Sequence, residues 1–219
     1  MNKVTSPDLV KQVSLRQISS MDQSPLFDSM DNKLEALKSR SSAVQIPSYP
    51  AAKPYKNNSV KRLFARARYF FAILKQRLSK KEYPLIVVMV VNNKCNWNCS
   101  YCFGDYPNRK EIDYSTDEIK YLVDRLYAQG VRYINMHGGE TLLRPDIGEL
   151  CNYIKNKGIY LCLITNGSIL HKKIEEVRNV DNLTISLDGS ELSNDKNRGS
   201  GTFQKTLSAI ELALKEKIP

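Results

Sequence analysis

The feature that most constrains the fold is an alternation of short apolar runs with amphipathic segments, which begins at residue 84. The run at 84–92 (PLIVVMVVN) is rich in β-branched residues and is typical of a strand buried on both faces of a sheet. Three further apolar runs, each preceded by a helical pattern, follow at 131–136, 159–164 and 183–187. Strands that alternate with helices across short connections predict βα units and a parallel sheet.

The helices between these strands carry their own start and stop signals. Ser115 and Glu118 have the spacing of a capping box, and Gly130 is the expected stop of the helix that they open. Further helices are predicted at 146–158, 168–179 and 202–217. We therefore expect an α/β fold with four βα units, after which a fifth strand would begin at residue 218. Four units leave an open sheet edge, so the sequence predicts an open sheet or part of a barrel.

The positive charge of the chain is confined to its first third. The formal net charge is +10, and residues 1–82 hold 16 Lys and Arg against 6 Asp and Glu, whereas residues 83–219 hold 17 of each kind. Residues 1–59 are polar and carry several prolines, which predicts a mobile tail. Apolar residues at 60–82 recur at steps of three and four, which predicts a basic amphipathic helix.

Two uses of that amphipathic helix remain open. Its apolar face would pack on the domain that follows, with the basic face in solvent. Alternatively, residues 60–81 would make a weak contact with a membrane surface or an acidic partner. No nucleic acid is expected as a partner, because no recognised nucleic-acid-binding module accompanies the charge.

Three of the five cysteines lie within eight positions, directly after the first strand: Cys95, Cys99 and Cys102. Thiolates at this spacing can converge on one metal centre from a single loop. A structural zinc site requires four ligands, and the nearest candidate for the fourth is His137. A four-iron cluster held by three cysteines leaves one iron open to a small molecule. A cysteine cluster of this kind, in a chain without a signal-peptide pattern, predicts a reduced, cytoplasmic protein.

Short motifs follow the other three predicted strands. They are HGGE at 137–140, TNG at 165–167 and SLDG at 186–189. Each alone is typical of an ordinary turn. All four loops nevertheless follow the carboxyl ends of consecutive parallel strands, which is where ligands bind in such sheets. The sequence therefore predicts a ligand site at this end of the sheet.

Together, the segments CNWNCSYC, HGGE, ITNG and ISLDG resemble the core of the radical S-adenosylmethionine (SAM) enzymes over roughly residues 84–219. The resemblance implies a partial (β/α)6 barrel, of which about four units are present. The helical or disordered N-terminal extension at 1–82 lies outside the resemblance. It implies that Cys95, Cys99 and Cys102 hold a [4Fe–4S] cluster whose fourth iron binds SAM. Reductive cleavage of SAM would give a 5′-deoxyadenosyl radical that abstracts hydrogen from a substrate. An external donor of the flavodoxin or ferredoxin kind would supply the electron.

The HGGE turn is implied to bind the methionyl part of SAM. The backbone of Gly138 and Gly139 would meet the amino group, since glycine permits close approach and positive φ. Glu140 would hold the turn or bond the same amino group. The usual GGEP of the family reads GGET here, with Thr141 in place of proline.

Four further SAM contacts follow from the resemblance. Tyr101 would approach the adenine, and Ser186 would meet the ribose or the carboxylate. Asp188 and Arg198 match a branch in which SLDG is followed by RG, and Arg198 would pair with the SAM carboxylate. That branch resembles the peptide- and protein-modifying maturases, or relatives that act on lipids, so the substrate stays unidentified and a peptide is one of the two expected classes.

Two other functions remain open at the level of sequence. The fifth and sixth strands of the family barrel would lie beyond residue 219, so the chain is expected to be incomplete at its C-terminus. It would then be a catalytically incomplete iron–sulfur or partner-binding fragment, whose open sheet edge favours self-association or a partner that supplies strands. A zinc-stabilised structural domain is the other alternative.

Overall fold

In the computed structural model, which describes residues 46–56, 58–79, 84–110 and 112–219, four parallel strands form one sheet in the order β1-β2-β3-β4. The strands are β1 (Ile86–Val90), β2 (Tyr133–His137), β3 (Tyr160–Thr165) and β4 (Asn182–Ile185). The register aligns Val88 with Asn135, Asn135 with Cys162, and Cys162 with Asn182. The predicted α/β fold with a parallel sheet is confirmed.

Within the described residues, the α-helices are α1 (Ser59–Ser79), α2 (Thr116–Gln129), α3 (Ile147–Asn156), α4 (Leu170–Val177), α5 (Glu191–Arg198) and α6 (Thr202–Lys215). Helix α2 begins at the predicted capping box, in which Ser115 and Glu118 each accept from the other's backbone N–H. Gly130 ends this helix with a φ of 112°. Helix α5 is absent from the sequence prediction because Leu192 is its one apolar residue, so it has no hydrophobic periodicity.

The sheet has one buried face and one open face. Helices cover the buried face, where five apolar strand residues are at most 4% exposed: Met89, Ile134, Met136, Leu161 and Leu163. Burying a side chain of this kind contributes about 1.5–3 kcal/mol. On the open face, Ile86, Val88 and Val90 are 51%, 59% and 45% exposed. The prediction that this first strand is buried on both faces is therefore wrong for the described chain, because α2, α3, α4 and α6 pack on the other side.

Helix α1 crosses the amino end of the sheet. Tyr133 and Tyr160, the first residues of β2 and β3, stack with ring centroids 5.0 Å apart. The ring of Tyr69 on α1 lies 5.6 Å from that of Tyr133, and Arg68 donates a 2.8 Å hydrogen bond to the Tyr127 hydroxyl. These contacts place α1 at the opposite end of the sheet from the cysteine loop.

The apolar side chains of α1 point away from the domain. Ala65 is 4% exposed, whereas seven large side chains, which we call the apolar stripe, are 53–75% exposed: Val60, Leu63, Phe64, Phe70, Phe71, Leu74 and Leu78. The expected packing of this face on the following domain is therefore wrong, because α1 docks through its opposite side. Residues 80–83, which include the end of the predicted helix, lie outside the described residues. No described helix is long and apolar enough to cross a membrane.

Residues 47–56 run in extended conformation along α2 and α3. The Tyr49 hydroxyl donates to Asp124 at 3.3 Å, and the Tyr55 N–H donates to Asn152 at 3.1 Å. The part of the predicted mobile tail that precedes this segment lies outside the described residues.

The sheet has two edges, β1 and β4, and the last residues of the chain lie beside the second. The Leu183 N–H donates to the Pro219 carbonyl at 2.6 Å, and Ile218 is 8% exposed within the hydrophobic core. The last residues thus run beside β4, at the position predicted for the start of a fifth strand.

Candidate active site

The predicted site residues lie around one cavity of about 180 Å³ at the carboxyl end of the sheet. Nine of the ten line it: Cys95, Cys99, Tyr101, Cys102, Gly138, Gly139, Glu140, Ser186 and Arg198. The tenth, Asp188, lies behind Arg198 and hydrogen-bonds to it. The loops that follow all four strands therefore converge on one place, as parallel strands require.

The three cysteines of the first loop are free thiols, and each is partly buried. The Trp97 N–H donates to Cys95 Sγ at 3.5 Å, and the Cys102 N–H donates to the Cys99 carbonyl at 3.1 Å, which makes a tight turn. Burial raises the pKa of the Cys95 and Cys99 thiols. Such thiols lose their protons readily only when a metal supplies compensating charge.

The donor set fits a cluster better than a single ion. No three His, Cys, Asp or Glu side chains in the described part of the chain are close enough to hold one metal ion. A zinc site needs four ligands around one ion, and the described residues present no such group. In a four-iron cluster each thiolate binds a different iron, so the sulfur atoms stand further apart.

The two glycines of HGGE let this turn pack against the cysteine loop. A Cβ on Gly139 would lie 2.3 Å from the Lys94 carbonyl oxygen and 3.0 Å from Cys95 Cβ. A Cβ on Gly138 would lie 2.0 Å from Asn92 Oδ1. Neither glycine has a positive φ, so the left-handed conformations that glycine permits are not used here. The close approach of the two loops alone explains why both positions are glycine.

Backbone hydrogen bonds hold the HGGE turn to the loop that follows β1. The Gly139 N–H donates to the Asn92 carbonyl at 3.2 Å, and the Glu140 N–H donates to the Lys94 carbonyl at 2.7 Å. Asn92 Nδ2 donates in return to the Glu140 carbonyl at 2.9 Å. Because these N–H groups are engaged within the chain, the turn has carbonyl oxygens, which are acceptors, to offer a ligand amino group.

Glu140 joins the ends of β2 and β3. Its carboxylate is 1% exposed and accepts from the Leu142 N–H at 3.0 Å, the Thr165 hydroxyl at 2.6 Å and the Asn166 N–H at 2.7 Å. Burial raises the pKa of this carboxyl and outweighs the three hydrogen bonds, which lower it. Of the two predicted roles for Glu140, the geometry favours holding the turn.

Arg198 brings a positive charge to the cavity. Its guanidinium donates to Asp188 at 2.7 Å and lies 5.6 Å from the centroid of the Tyr101 ring. Burial acts to raise the pKa of Asp188, but the hydrogen bonds from Arg198 and Tyr101 hold it below its usual range. Burial and the bond to Asp188 raise the pKa of Tyr101 to about 12. Arg198 Nε is buried without a partner among the described residues, so a ligand carboxylate would satisfy it.

Comparison with known proteins decides the family. The family model of the radical SAM superfamily matches residues 89–219, which hold all of the predicted motifs. This chain belongs to the radical SAM superfamily. Members of this superfamily are enzymes whose cofactors are a [4Fe–4S] cluster and SAM. The predicted family and its cofactors are thereby confirmed.

The relatives of this radical SAM chain are longer than it is. AdoMet-dependent heme synthase of Methanosarcina barkeri is 32% identical over 142 residues, which cover 62% of this chain and 41% of the relative. Mycofactocin maturase MftC of Mycobacterium ulcerans is 29% identical over 132 residues, which cover 58% of this chain and 34% of the relative. The chain spans less than half the length of the curated relatives that it matches.

Solved structures support the radical SAM fold. Streptococcus suis SuiB bound to precursor peptide SuiA matches with a TM-score of 0.56 and 17% identity, over 87% of this chain and 43% of that one. A match at this identity concerns the fold alone. It agrees with four parallel strands that form part of a barrel of this type.

Two asparagines hydrogen-bond the cysteine loop of this radical SAM core to the loop after β3. Asn96, between the first two cysteines, accepts from Asn166 Nδ2 at 3.0 Å and donates to the Ser168 hydroxyl at 2.8 Å. Sequence reasoning missed Asn96 because only its long-range partners reveal its role. Asn166 lies in the TNG motif, which is the signal that could have pointed to it.

Asn194 holds the SLDG loop in place. It is fully buried, accepts from the Asp188 N–H at 3.1 Å and donates to the Thr202 hydroxyl at 2.9 Å. The residue lies in α5, which has no helical signal in the sequence, so nothing there could have found it.

His137 offers one more polar atom to the cavity. Its Nε2 is buried without a partner in the described chain, and burial lowers the pKa of the imidazole. In the neutral imidazole this nitrogen can either donate one hydrogen bond to a ligand or accept one from it.

Proposed function

We propose that this chain forms the core of a radical SAM enzyme that binds a [4Fe–4S] cluster and SAM and acts on a peptide. The observation that carries the proposal is the meeting of three free cysteines, the HGGE turn, Ser186 and Arg198 around one cavity. When bound, the cluster and SAM together supply one-electron cleavage of SAM and hydrogen abstraction from the substrate.

The cysteine loop would hold the cluster and keep water from it. Cys95, Cys99 and Cys102 would each bind one iron, which leaves one iron without a protein ligand. Trp97 and Tyr106 also line the cavity, and each is 8% exposed. Their rings exclude water from the thiolates and lower the local dielectric constant, which strengthens every electrostatic contact inside.

Two groups on opposite loops would orient SAM by its charges. Arg198 has a free guanidinium N–H for the carboxylate, and Asp188 holds that guanidinium in position. The carbonyl oxygens of Gly138 and Gly139 would accept from the amino group. Recognition of both charges fixes the direction in which SAM lies. In the same pose Tyr101 would contact the adenine and Ser186 the ribose or carboxylate.

Similar proteins support a peptide substrate. One relative is named a mycofactocin maturase, and SuiB was solved with its precursor peptide. The open face of the sheet, where Val88 and Val90 lie exposed beside Asn135, offers apolar and polar positions for side chains of a substrate. We further propose a cytoplasmic setting with an external donor of the flavodoxin or ferredoxin kind, since free cysteines and reduced clusters persist there.

Single alanine variants of the three loop cysteines test this function. After anaerobic reconstitution with iron and sulfide, Cys95→Ala, Cys99→Ala and Cys102→Ala should each lose the broad visible absorbance and most of the bound iron. Cys151→Ala and Cys162→Ala are matched controls, since both thiols are buried away from the cavity lining. They should keep both signals.

The same experiment separates the alternatives. Full iron content in any one of the three loop variants would disprove the cluster assignment. A colourless wild-type protein with one zinc would instead support a structural domain. A loaded cluster that binds SAM but never yields 5′-deoxyadenosine on reduction would support a catalytically incomplete fragment.

A further inference from the structure

The apolar stripe of α1 is a surface that the domain does not use. All seven of its side chains are more than half exposed. Exposed apolar residues scattered singly are ordinary, whereas a contiguous patch marks an interaction surface. A helix of 21 residues is about 32 Å long, and the stripe runs along most of it.

The contacts of α1 with the domain hold the stripe outward. Ala65 is buried, Tyr69 packs on Tyr133, and Arg68 bonds to Tyr127. Ala65 and Tyr69 are four residues apart and so share one face of the helix. The stripe occupies the opposite face, which points away from the sheet.

The charge of α1 indicates what the stripe meets. The helix (SVKRLFARARYFFAILKQRLS) carries six Lys and Arg and no Asp or Glu. Lys61, Arg68 and Lys75 repeat every seven residues along one border of the stripe, and Arg66 and Arg77 lie along the other. Basic side chains on both borders can extend their charged ends to lipid phosphates while the stripe is buried.

A cationic cavity adjoins the stripe. It has a volume of about 530 Å³, lies between α1 and the end of α2, and includes Arg68, Phe71, Lys75 and Arg132 in its lining. Three cations beside an apolar surface are complementary to an anionic headgroup beside its acyl chains. An acidic protein partner would need an apolar groove with acidic borders along the whole helix, whereas an anionic membrane offers both chemistries everywhere on its surface.

From these observations we propose that α1 docks on an anionic membrane surface. The apolar stripe enters the boundary between headgroups and acyl chains, and the border cations bind lipid phosphates. The helix lies in the plane of the membrane and does not cross it. Because α1 crosses the amino end of the sheet, docking leaves the cavity at the carboxyl end turned away from the lipid. This inference does not depend on the proposed function.

Co-sedimentation with vesicles tests the apolar part of this surface. The 219-residue protein should pellet with vesicles of phosphatidylcholine and phosphatidylglycerol, and less with phosphatidylcholine alone. Phe64→Gln/Phe71→Gln should lower the partition coefficient by about tenfold or more. Leu192→Gln/Leu214→Gln is the matched control, because these leucines are 82% and 71% exposed on other helices. It should bind as the wild type does.

A second pair of variants tests the charges. Arg66→Gln/Lys75→Gln removes one cation from each border and should weaken binding to the anionic vesicles by about tenfold. Lys172→Gln/Lys205→Gln, on α4 and α6, should not. Added salt should weaken wild-type binding in the same way. Far-UV circular dichroism checks that each variant is folded.

Three results would overturn the proposal. The wild type would remain in the supernatant with anionic vesicles, or the Phe64/Phe71 variant would bind as well as the wild type. In the third, the wild type would form a dimer that those two substitutions abolish, without binding vesicles. The occupant of the stripe would then be a second copy of the chain.

Discussion

Gly139 lies where the HGGE turn and the cysteine loop touch, and its missing side chain lets both loops form the cavity wall. The nearest atoms to a Cβ at this position are the Lys94 carbonyl oxygen at 2.3 Å and carbon at 2.6 Å. These are backbone atoms of the cysteine loop, which cannot rotate away as the end of a flexible side chain can. A substitution here therefore disturbs the metal ligands before it disturbs any SAM contact.

Gly139→Val should accordingly reduce iron loading as well as SAM binding. Its branched side chain would displace Lys94 and Cys95, so we expect a loss of well over half of the cluster absorbance after reconstitution. Gly201→Ala is the control. Its φ is +73°, but nothing lies within 4 Å of the added Cβ, so it should cost about 1 kcal/mol in stability and keep the cluster. A valine variant with a full cluster and weak SAM binding would show that this glycine contacts the ligand instead.

Sequence reasoning found the residues of the site that belong to short motifs and missed those that act across the chain. Cys95, Glu140 and Arg198 stand in recognisable local patterns. Asn96 and Asn194 do not, because their partners are set by the tertiary fold. The reason for a glycine at position 139 is likewise hidden in the sequence, since the crowding there comes from Lys94 and Cys95 in a loop more than 40 positions earlier in the chain.

At the scale of elements, a buried ion pair ties the end of α3 to the ends of two strands. Lys155 and Asp181 are paired with side chains 0% and 1% exposed. Burial lowers the pKa of Lys155 and outweighs the neighbouring carboxylate, which raises it. Lys155 also donates to the Ile159 carbonyl at 3.2 Å, and the Leu161 N–H donates to Asp181 at 2.8 Å. The pair thus holds the backbone in place where β3 begins.

Lys155→Met should destabilise the fold by about 3–5 kcal/mol, because it leaves the Asp181 carboxylate buried without its cation. Urea unfolding followed by circular dichroism measures this. Lys157→Met is the control, since its side chain is 25% exposed and its pair with Asp124 is near the surface. It should cost under about 1 kcal/mol. Equal losses in the two variants would mean that the buried pair contributes no more than a surface one.

Elements were predictable wherever their signals are local. The capping box at Ser115 and the apolar runs of the strands could be predicted, because hydrophobic periodicity and helix-capping residues are visible within a few positions of the sequence. The side on which α1 docks cannot be predicted in this way. The hydrophobic pattern of a helix shows which face will be covered, but it does not show what covers that face. Helix α5 has no pattern of its own and forms because Asn194 and Asp195 bond to the residues that follow it.

At the scale of the whole molecule, the open face of the sheet bears on catalysis. Val88 is 59% exposed and Thr184 on β4 is also exposed, so the described chain leaves this side of the site open to water. Reactive intermediates persist only where water is excluded. Beyond the hydrogen bond from the Leu183 N–H to the Pro219 carbonyl, we expect the edge of β4 to accept a strand from another chain.

We therefore expect the reconstituted 219-residue chain to cleave SAM slowly and without coupling to a substrate. The measurement is 5′-deoxyadenosine released anaerobically with excess reductant, beside light scattering to report the oligomeric state. Cys99→Ala, carried through the same reconstitution, gives the background. Repeated turnovers coupled to a substrate by a monomer would show that four βα units suffice for this chemistry.

The hydrogen bonds that hold the cysteine loop also determine when, during synthesis, the site can reach its final arrangement. Asn96 finds its partners 70 and 72 residues later, and the Ser100 N–H donates to the carbonyl of Asn197. A ribosome adds about 5–20 residues per second, so the cysteines emerge several seconds before the residues that arrange them. Until then the three thiols are exposed to oxygen and to stray metal ions. We therefore expect iron to be delivered after translation has passed Asn197, or the nascent loop to be shielded until then.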